Sequence, residues 1–176
     1  MNPSYAVVPI IGCDGAGKTT LAQAIATRAS VEPRPIVVDG WKATAIDVQG
    51  PSAVYQFIDF ANFETQQSLL APSRFRGAVL VVSGPDSVLP QTRDSLVRAQ
   101  QCGIPILAAA LTKCDALDDE EMLDLVSMEV SELMSKYGGF GDRPIIRTPG
   151  RAGRMREREE PGPGQGLPQL MAVVCR

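Results

Sequence analysis

Near the start of the chain, Gly12-Cys13-Asp14-Gly15-Ala16-Gly17-Lys18-Thr19 fits the pattern G-x-x-x-x-G-K-[ST]. The chemistry of this spacing is phosphate binding. The glycines let the backbone turn successive N–H groups onto an anion, a helix that begins inside the loop adds positive potential, and Lys18 can reach β- and γ-phosphates. The Thr19 hydroxyl suits Mg²⁺. Asp14, Gly15, Ala16, Gly17, Lys18, Thr19 and Thr20 are the candidate phosphate-site residues. A tight strand-to-helix turn without a ligand is the plain alternative; an apolar run before the loop and a helical pattern after it favour the phosphate reading.

A phosphate loop does not choose its base. Leu111-Thr112-Lys113-Cys114-Asp115 follows an apolar run, where guanine-binding loops read N-K-x-D or T-K-x-D. A carboxylate at Asp115 accepts two hydrogen bonds from guanine N1–H and its 2-amino group, and the Lys113 stem packs against the base. Adenine presents an acceptor at N1 and would leave Asp115 unpaired. Alone, a Lys and an Asp two residues apart at a strand end are often just solvated, but with a phosphate loop upstream they point to a guanine nucleotide. Thr112, Lys113 and Asp115 complete the nucleotide candidates.

These groups need a scaffold. Short apolar runs at 5–11, 36–39, 54–59, 78–83, 104–111 and 144–148 read as strands, with helix-compatible stretches between most of them. The run Val79-Leu80-Val81-Val82 does not alternate, as expected for a strand covered on both faces. The rhythm predicts an α/β fold of three layers around a mostly parallel sheet. A helix should begin in the phosphate loop and turn Leu21, Ala22, Ile25, Ala26 and Ala29 toward that sheet. Another should run over 118–137 with Met122, Val126, Val130, Leu133 and Tyr137 on its buried face. The acids at 118–121 read as the start of that helix rather than as a metal site. Pro9 sits awkwardly within the first strand, where it cannot donate a ladder bond.

Composition narrows the function further. The 176 residues contain no histidine, which removes any mechanism needing an imidazole base or ligand. A net charge of −3 gives no general attraction for nucleic acid or membranes. Four scattered cysteines suit reduced thiols, no apolar run is long enough to span a bilayer, and no secretory leader is recognisable, so a cytoplasmic protein is expected. From Gly150 the chain turns Arg-rich (Arg151, Arg154, Arg156, Arg158) and then Pro/Gly-rich, which divides it into a domain over 1–149 and a tail over 150–176 with room for a short helix at 167–174.

The segment 75–137, with Pro90-Gln91-Thr92-Arg93 and Lys113-Cys114-Asp115 inside it, resembles the G domain of bacterial elongation factor Tu, as does GCDGAGKTTLAQAIA around the phosphate loop. The resemblance implies a Ras-like P-loop GTPase fold that binds GTP or GDP with Mg²⁺, and the ribosome or translation factors as partners. Asp59 matches the Asp of the family's D-C-P-G-H motif and is implied as a water-mediated Mg²⁺ ligand beside Thr19. The rest of that motif departs: Asn62 stands at the Gly position and Phe63 at the His that places the attacking water. The R-G-I-T-I segment is not recognisable, with Thr44 as the stand-in for its Mg²⁺-binding Thr, and Arg147-Thr148-Pro149-Gly150 replaces the S-A-L/K motif. The family's two β-barrels have no counterpart in the 176 residues, so delivery of aminoacyl-tRNA in the usual way is not expected. The implied function is guanine-nucleotide binding with weak or absent hydrolysis and a regulatory role near translation. A competing resemblance remains: Asp14-Gly15-Ala16-Gly17-Lys18-Thr19-Thr20 also looks like the loop of thymidylate kinases.

Overall fold

Apolar and amphipathic stretches alternate along the chain, and the computed structural model, which describes residues 5–38, 40–60, 75–117, 119–138, 140–148 and 166–176, turns them into a sheet flanked by helices. In chain order the elements are β1 (Tyr5–Gly12), α1 (Lys18–Ala29), β2 (Arg34–Val38), β3 (Trp41–Gln49), β4 (Val54–Phe60), β5 (Ala78–Ser83), α2 (Pro90–Gln101), β6 (Ile106–Thr112), α3 (Glu120–Gly138), β7 (Ile145–Arg147) and α4 (Leu167–Val174). The seven strands lie in the order β2-β3-β4-β1-β5-β6-β7. From β4 to β7 neighbours are parallel, while β2 and β3 add an antiparallel edge.

Successive residues of β5 serve opposite faces, as the strand period requires. Val79 and Val81 join α1 and α4 in one core, through Leu21, Ala22, Ile25, Leu170 and Val174. Leu80 and Val82 join α2 and α3 in the other, through Leu96, Ala99, Leu123, Val126, Val130 and Met134. This is the expected three-layer α/β architecture, and it explains why β5 is apolar at nearly every position. Among the described residues no helix is long and apolar enough to cross a membrane.

Several boundaries differ from the sequence expectation. The strand expected at 36–39 runs over Arg34–Val38, and that expected from 104 starts at Ile106. β3 was not expected at all. Its buried residues Ala43, Ala45, Ile46 and Val48 fall on both faces rather than alternating, and two of those are alanines, which carry little strand signal. On α3 the expected Val126 and Val130 are buried beside Leu123 and Met134, and Leu133 and Tyr137 pack partly buried against the same core, whereas Met122 is 45% exposed and lies off that face. The helix starts at Glu120 instead of Asp118, and the Asp119 carboxylate accepts the Glu121 N–H at 2.9 Å as a first-turn cap.

Pro9 is accommodated without breaking β1. It pairs in register with Ile58 of β4, while toward β5 it falls between the isolated bridge Val7↔Phe75 and the ladder that begins at Ile10↔Val79. The missing N–H meets a gap where no ladder partner waits. At the other end of the chain, α4 belongs to the core: Leu170 and Val174 are almost fully buried, and the Arg176 carbonyl accepts the Tyr55 hydroxyl at 2.5 Å and the Arg76 guanidinium at 2.7 Å.

Candidate functional site

The phosphate loop leaves the sheet at its centre, where β1 lies between β4 and β5. Gly12 has φ +146, and a Cβ there would lie 2.3 Å from the Val81 carbonyl oxygen, so the turn out of β1 admits no side chain. Gly17 caps α1 in the left-handed region with φ 91. No side chain caps the N-terminus of α1 and its first turn holds no acid, which leaves the helix end suited to an anion. Asp14, Gly15, Thr19 and Thr20 face solvent around this end, while Ala16 is buried.

Lys18 is the buried charge of the loop, 7% exposed. Its ammonium donates to the carbonyls of Cys13 at 2.8 Å and Gly12 at 3.2 Å and lies 3.5 Å from the Asp14 carboxylate. All three ammonium protons are therefore used within the loop, and a phosphate oxygen would compete with these partners. Asp14 is mostly exposed, so it can swing away more cheaply than the backbone can.

Thr112 ends β6 beside the phosphate loop. Its hydroxyl lies 2.5 Å from the Ala16 carbonyl oxygen and 3.2 Å from that of Val82, and a Cβ on Gly17 would come within 3.3 Å of it. The two motifs found in the sequence are thus joined through one buried side chain. Beyond Thr112 the backbone enters the left-handed region at Lys113 (φ 55) and a single 3₁₀ turn at Cys114–Ala116. The Leu111 carbonyl holds this turn: it accepts the Thr148 N–H at 2.7 Å, the Thr148 hydroxyl at 3.2 Å and the Cys114 thiol at 3.1 Å. Burial pushes the Cys114 thiol up to about 11, so it remains a neutral donor near neutral pH. Asp115 is exposed. Lys113 reaches Asp86 at 3.8 Å, in the loop after β5, a partner that nothing in the sequence had singled out.

Asp59 lies near the end of β4, opposite Ile10 of β1 and Thr44 of β3. It is 6% exposed, and its Oδ1 has no hydrogen-bond partner among the described residues. Desolvation raises its pKa; the Thr19 hydroxyl and the Lys18 charge partly oppose that shift. Asp59, Thr19 and Thr44 line one cavity of about 290 Å³ with Gln23, Pro33 and Pro35. An orphaned buried carboxylate oxygen next to a hydroxyl fits Mg²⁺, which takes one or two protein oxygens and fills its shell with water and phosphate oxygens. Thr44 belongs to a strand paired on both sides, to Pro35 and to Asp59. The stretch in which R-G-I-T-I was sought is therefore part of the sheet.

The family model for the elongation factor Tu GTP binding domain matches residues 40–175. The chain belongs to this family. It is a GTP-binding G domain of the elongation factor Tu type, and the family match spans both Asp59 and the Thr112-Lys113-Cys114-Asp115 loop. The phosphate loop lies before the matched span and is carried by its own motif and geometry. Within this G domain the structure brings together Lys18, Thr19 and Asp59 at one point and Ala16, Gly17 and Thr112 at another. The positions at Asn62, Phe63 and Pro149-Gly150, and the arginines from Arg151 to Arg158, lie outside the described residues.

Proposed function

We propose that this G domain binds GTP and GDP across the C-terminal ends of β1, β5 and β6, and that it works as a nucleotide-dependent binder with weak or absent hydrolysis. Asp14 through Thr20 surround the phosphates, with Lys18 on the β- and γ-phosphates. Thr112, Lys113 and Asp115 form the guanine side. Thr19 and Asp59 hold Mg²⁺, which when bound neutralises charge on the β- and γ-phosphates. The observation that carries this reading is the hydrogen bond of the Thr112 hydroxyl to the Ala16 carbonyl, because it locks the base loop to the phosphate loop. Ligands of open α/β sheets bind in this crevice beyond the strand ends.

Weak hydrolysis follows from the residues in the switch positions. A phenyl ring at Phe63 neither orients nor deprotonates water, and the sequence has no histidine to replace it. A binder of this family without turnover suits a regulatory role, sharing surfaces with a translation factor or the ribosome. Four unpaired thiols agree with a reducing, cytoplasmic setting.

A binding panel of GTP, GDP, ATP and thymidine monophosphate with Mg²⁺ tests the assignment. GTP and GDP are expected to bind and ATP to bind far more weakly, since sites built on such hydrogen bonds discriminate by up to about 10⁴. Lys18→Ala is expected to abolish triphosphate binding. Equal affinity for ATP would remove the guanine assignment, and tight binding of thymidine monophosphate would turn the chain toward the kinase reading that its Asp14-Gly15-Ala16-Gly17-Lys18-Thr19-Thr20 loop also resembles.

A further inference from the structure

Asp14 is an acid set in the middle of an anion site. Its carboxylate lies 3.5 Å from the Lys18 ammonium and its side chain is 69% exposed. Of the three groups that hold this ammonium, the Cys13 carbonyl at 2.8 Å and the Gly12 carbonyl at 3.2 Å are closer. The carboxylate is therefore the partner that an incoming phosphate oxygen displaces first. Asp14 does not share the task of Asp59. It does not line the cavity of Thr19, Thr44 and Asp59, and among the described residues it joins no cluster that could hold a metal ion.

Displacement does not carry it far. The Cys13 carbonyl also accepts the Ala16 N–H at 3.3 Å, which closes a turn over residues 13–16 with Asp14 and Gly15 at its centre. Gly15 has φ 77, the left-handed conformation that glycine adopts without strain. The Asp14 backbone is thereby fixed against the same carbonyl that anchors Lys18, and its short side chain leaves the ammonium only by rotation about χ1. A phosphate oxygen on that ammonium sits about 2.8 Å from it. Two anions that share one nitrogen at these distances lie no more than about 6 Å apart.

On the reading that Lys18 takes the β- and γ-phosphates, we infer that Asp14 is a specificity-determining residue of the phosphate site. It holds Lys18 while the site is empty, and once displaced it penalises each further negative charge brought to that ammonium. GTP brings Lys18 an additional negative charge relative to GDP, so the penalty falls harder on the triphosphate. Like unit charges about 6 Å apart shift an equilibrium constant by about threefold in bulk water and by about a hundredfold at the dielectric of a protein surface. A side chain as exposed as Asp14 lies between these limits, at about tenfold.

Calorimetric titration of the full chain and of Asp14→Asn with GDP and with GTP, at fixed Mg²⁺ and at low and high salt, tests this. Asp14→Asn is expected to bind both nucleotides more tightly, with a gain about tenfold larger for GTP than for GDP at low salt. That excess should shrink at about 1 M salt, where the screening length falls to about 3 Å. A general loosening of the loop would give neither the excess nor its salt dependence. Asp14→Glu, which keeps the charge, should stay near the native ratio. If Asp14→Asn lowers the thermal midpoint, Asp14→Ser makes the comparison. GDP binding with the same GTP-to-GDP affinity ratio in the native chain and in Asp14→Asn, or an excess that salt does not reduce, overturns the inference alone. Failure of both proteins to bind either nucleotide overturns the reading of the phosphate site and the inference with it.

Discussion

The Thr112 hydroxyl lies 2.5 Å from the Ala16 carbonyl oxygen, so the last residue of β6 holds the phosphate loop from behind. Thr112→Val keeps the shape and removes the donor, leaving a buried carbonyl unpaired at a cost of about 1–3 kcal/mol. The expected outcome is roughly tenfold or more weaker GTP and GDP binding together with a lower thermal midpoint. Thr112→Ser should retain both. Calorimetric titration of the three proteins with GDP checks this, and native affinity in Thr112→Val would show that the contact does not position the loop.

Asp59 combines two demands that pull in opposite directions. Burial raises its pKa above the ordinary carboxylate value, so the folded state binds its proton more tightly than the unfolded chain does. Its contribution to stability is present below the unfolded value and is lost as pH rises through the folded one. Asp59→Asn, neutral at every pH, should leave the nucleotide-free protein as stable or more stable near neutrality and should flatten its loss of stability as pH rises from acid. The same variant should lose the Mg²⁺ dependence of GTP affinity. Thermal midpoints across acid and neutral pH, with GTP titrations at varied Mg²⁺, read both effects. A clear drop in neutral-pH stability would mean that the carboxylate is already stabilised by a partner.

α4 is the piece most easily mistaken for an appendage. Leu170 is fully buried against the α1 side of the sheet, and a Leu→Ala change at such a site costs about 2–5 kcal/mol. Leu170→Ala, or a cut that removes 167–176, is therefore expected to lower the urea midpoint strongly, with nucleotide affinity falling only as far as the fold does. A native-like midpoint for the cut chain would show that the helix is not needed by the core.

What the sequence made legible, and what it hid, divides along physical lines. The loop from Gly12 to Thr19 could be read because phosphate binding imposes residue types at fixed spacing, and β5 because burial on both faces imposes a continuous apolar run. β3 was hidden because two of its four buried residues, Ala43 and Ala45, are alanines without strand propensity, while Ile46 and Val48 supply its contact with the α1 core. On α3 only Met122 of the expected face misled, since it follows helical spacing as well as a core residue does. The ties that build the candidate site span long separations: Thr112 to Ala16 and Thr148 to Leu111 through backbone carbonyls, and Lys113 to Asp86 through a side-chain carboxylate. No local pattern encodes them.

The last prediction concerns turnover. Single-turnover GTP hydrolysis is expected to be very slow, unchanged by ribosomes, and not restored by Phe63→His. Lys18 and Mg²⁺ can stabilise charge on the transferring phosphoryl group, but transfer to water also needs the nucleophile held in line, and that positioning is worth orders of magnitude. A single positioned general base typically contributes about 10²–10⁴-fold, so rescue by one histidine would require the rest of the switch to be intact. Here Asn62 also departs from the glycine expected beside the γ-phosphate, and Thr44 is held in β3 between Pro35 and Asp59 rather than in a loop free to close over the nucleotide. A histidine added at 63 would act without its usual companions. A rate in Phe63→His near that of a stimulated translational GTPase would show that the missing imidazole was the sole defect. A fast rate in the native chain would place the water on another side chain, with Glu64 and Gln66 the first to substitute.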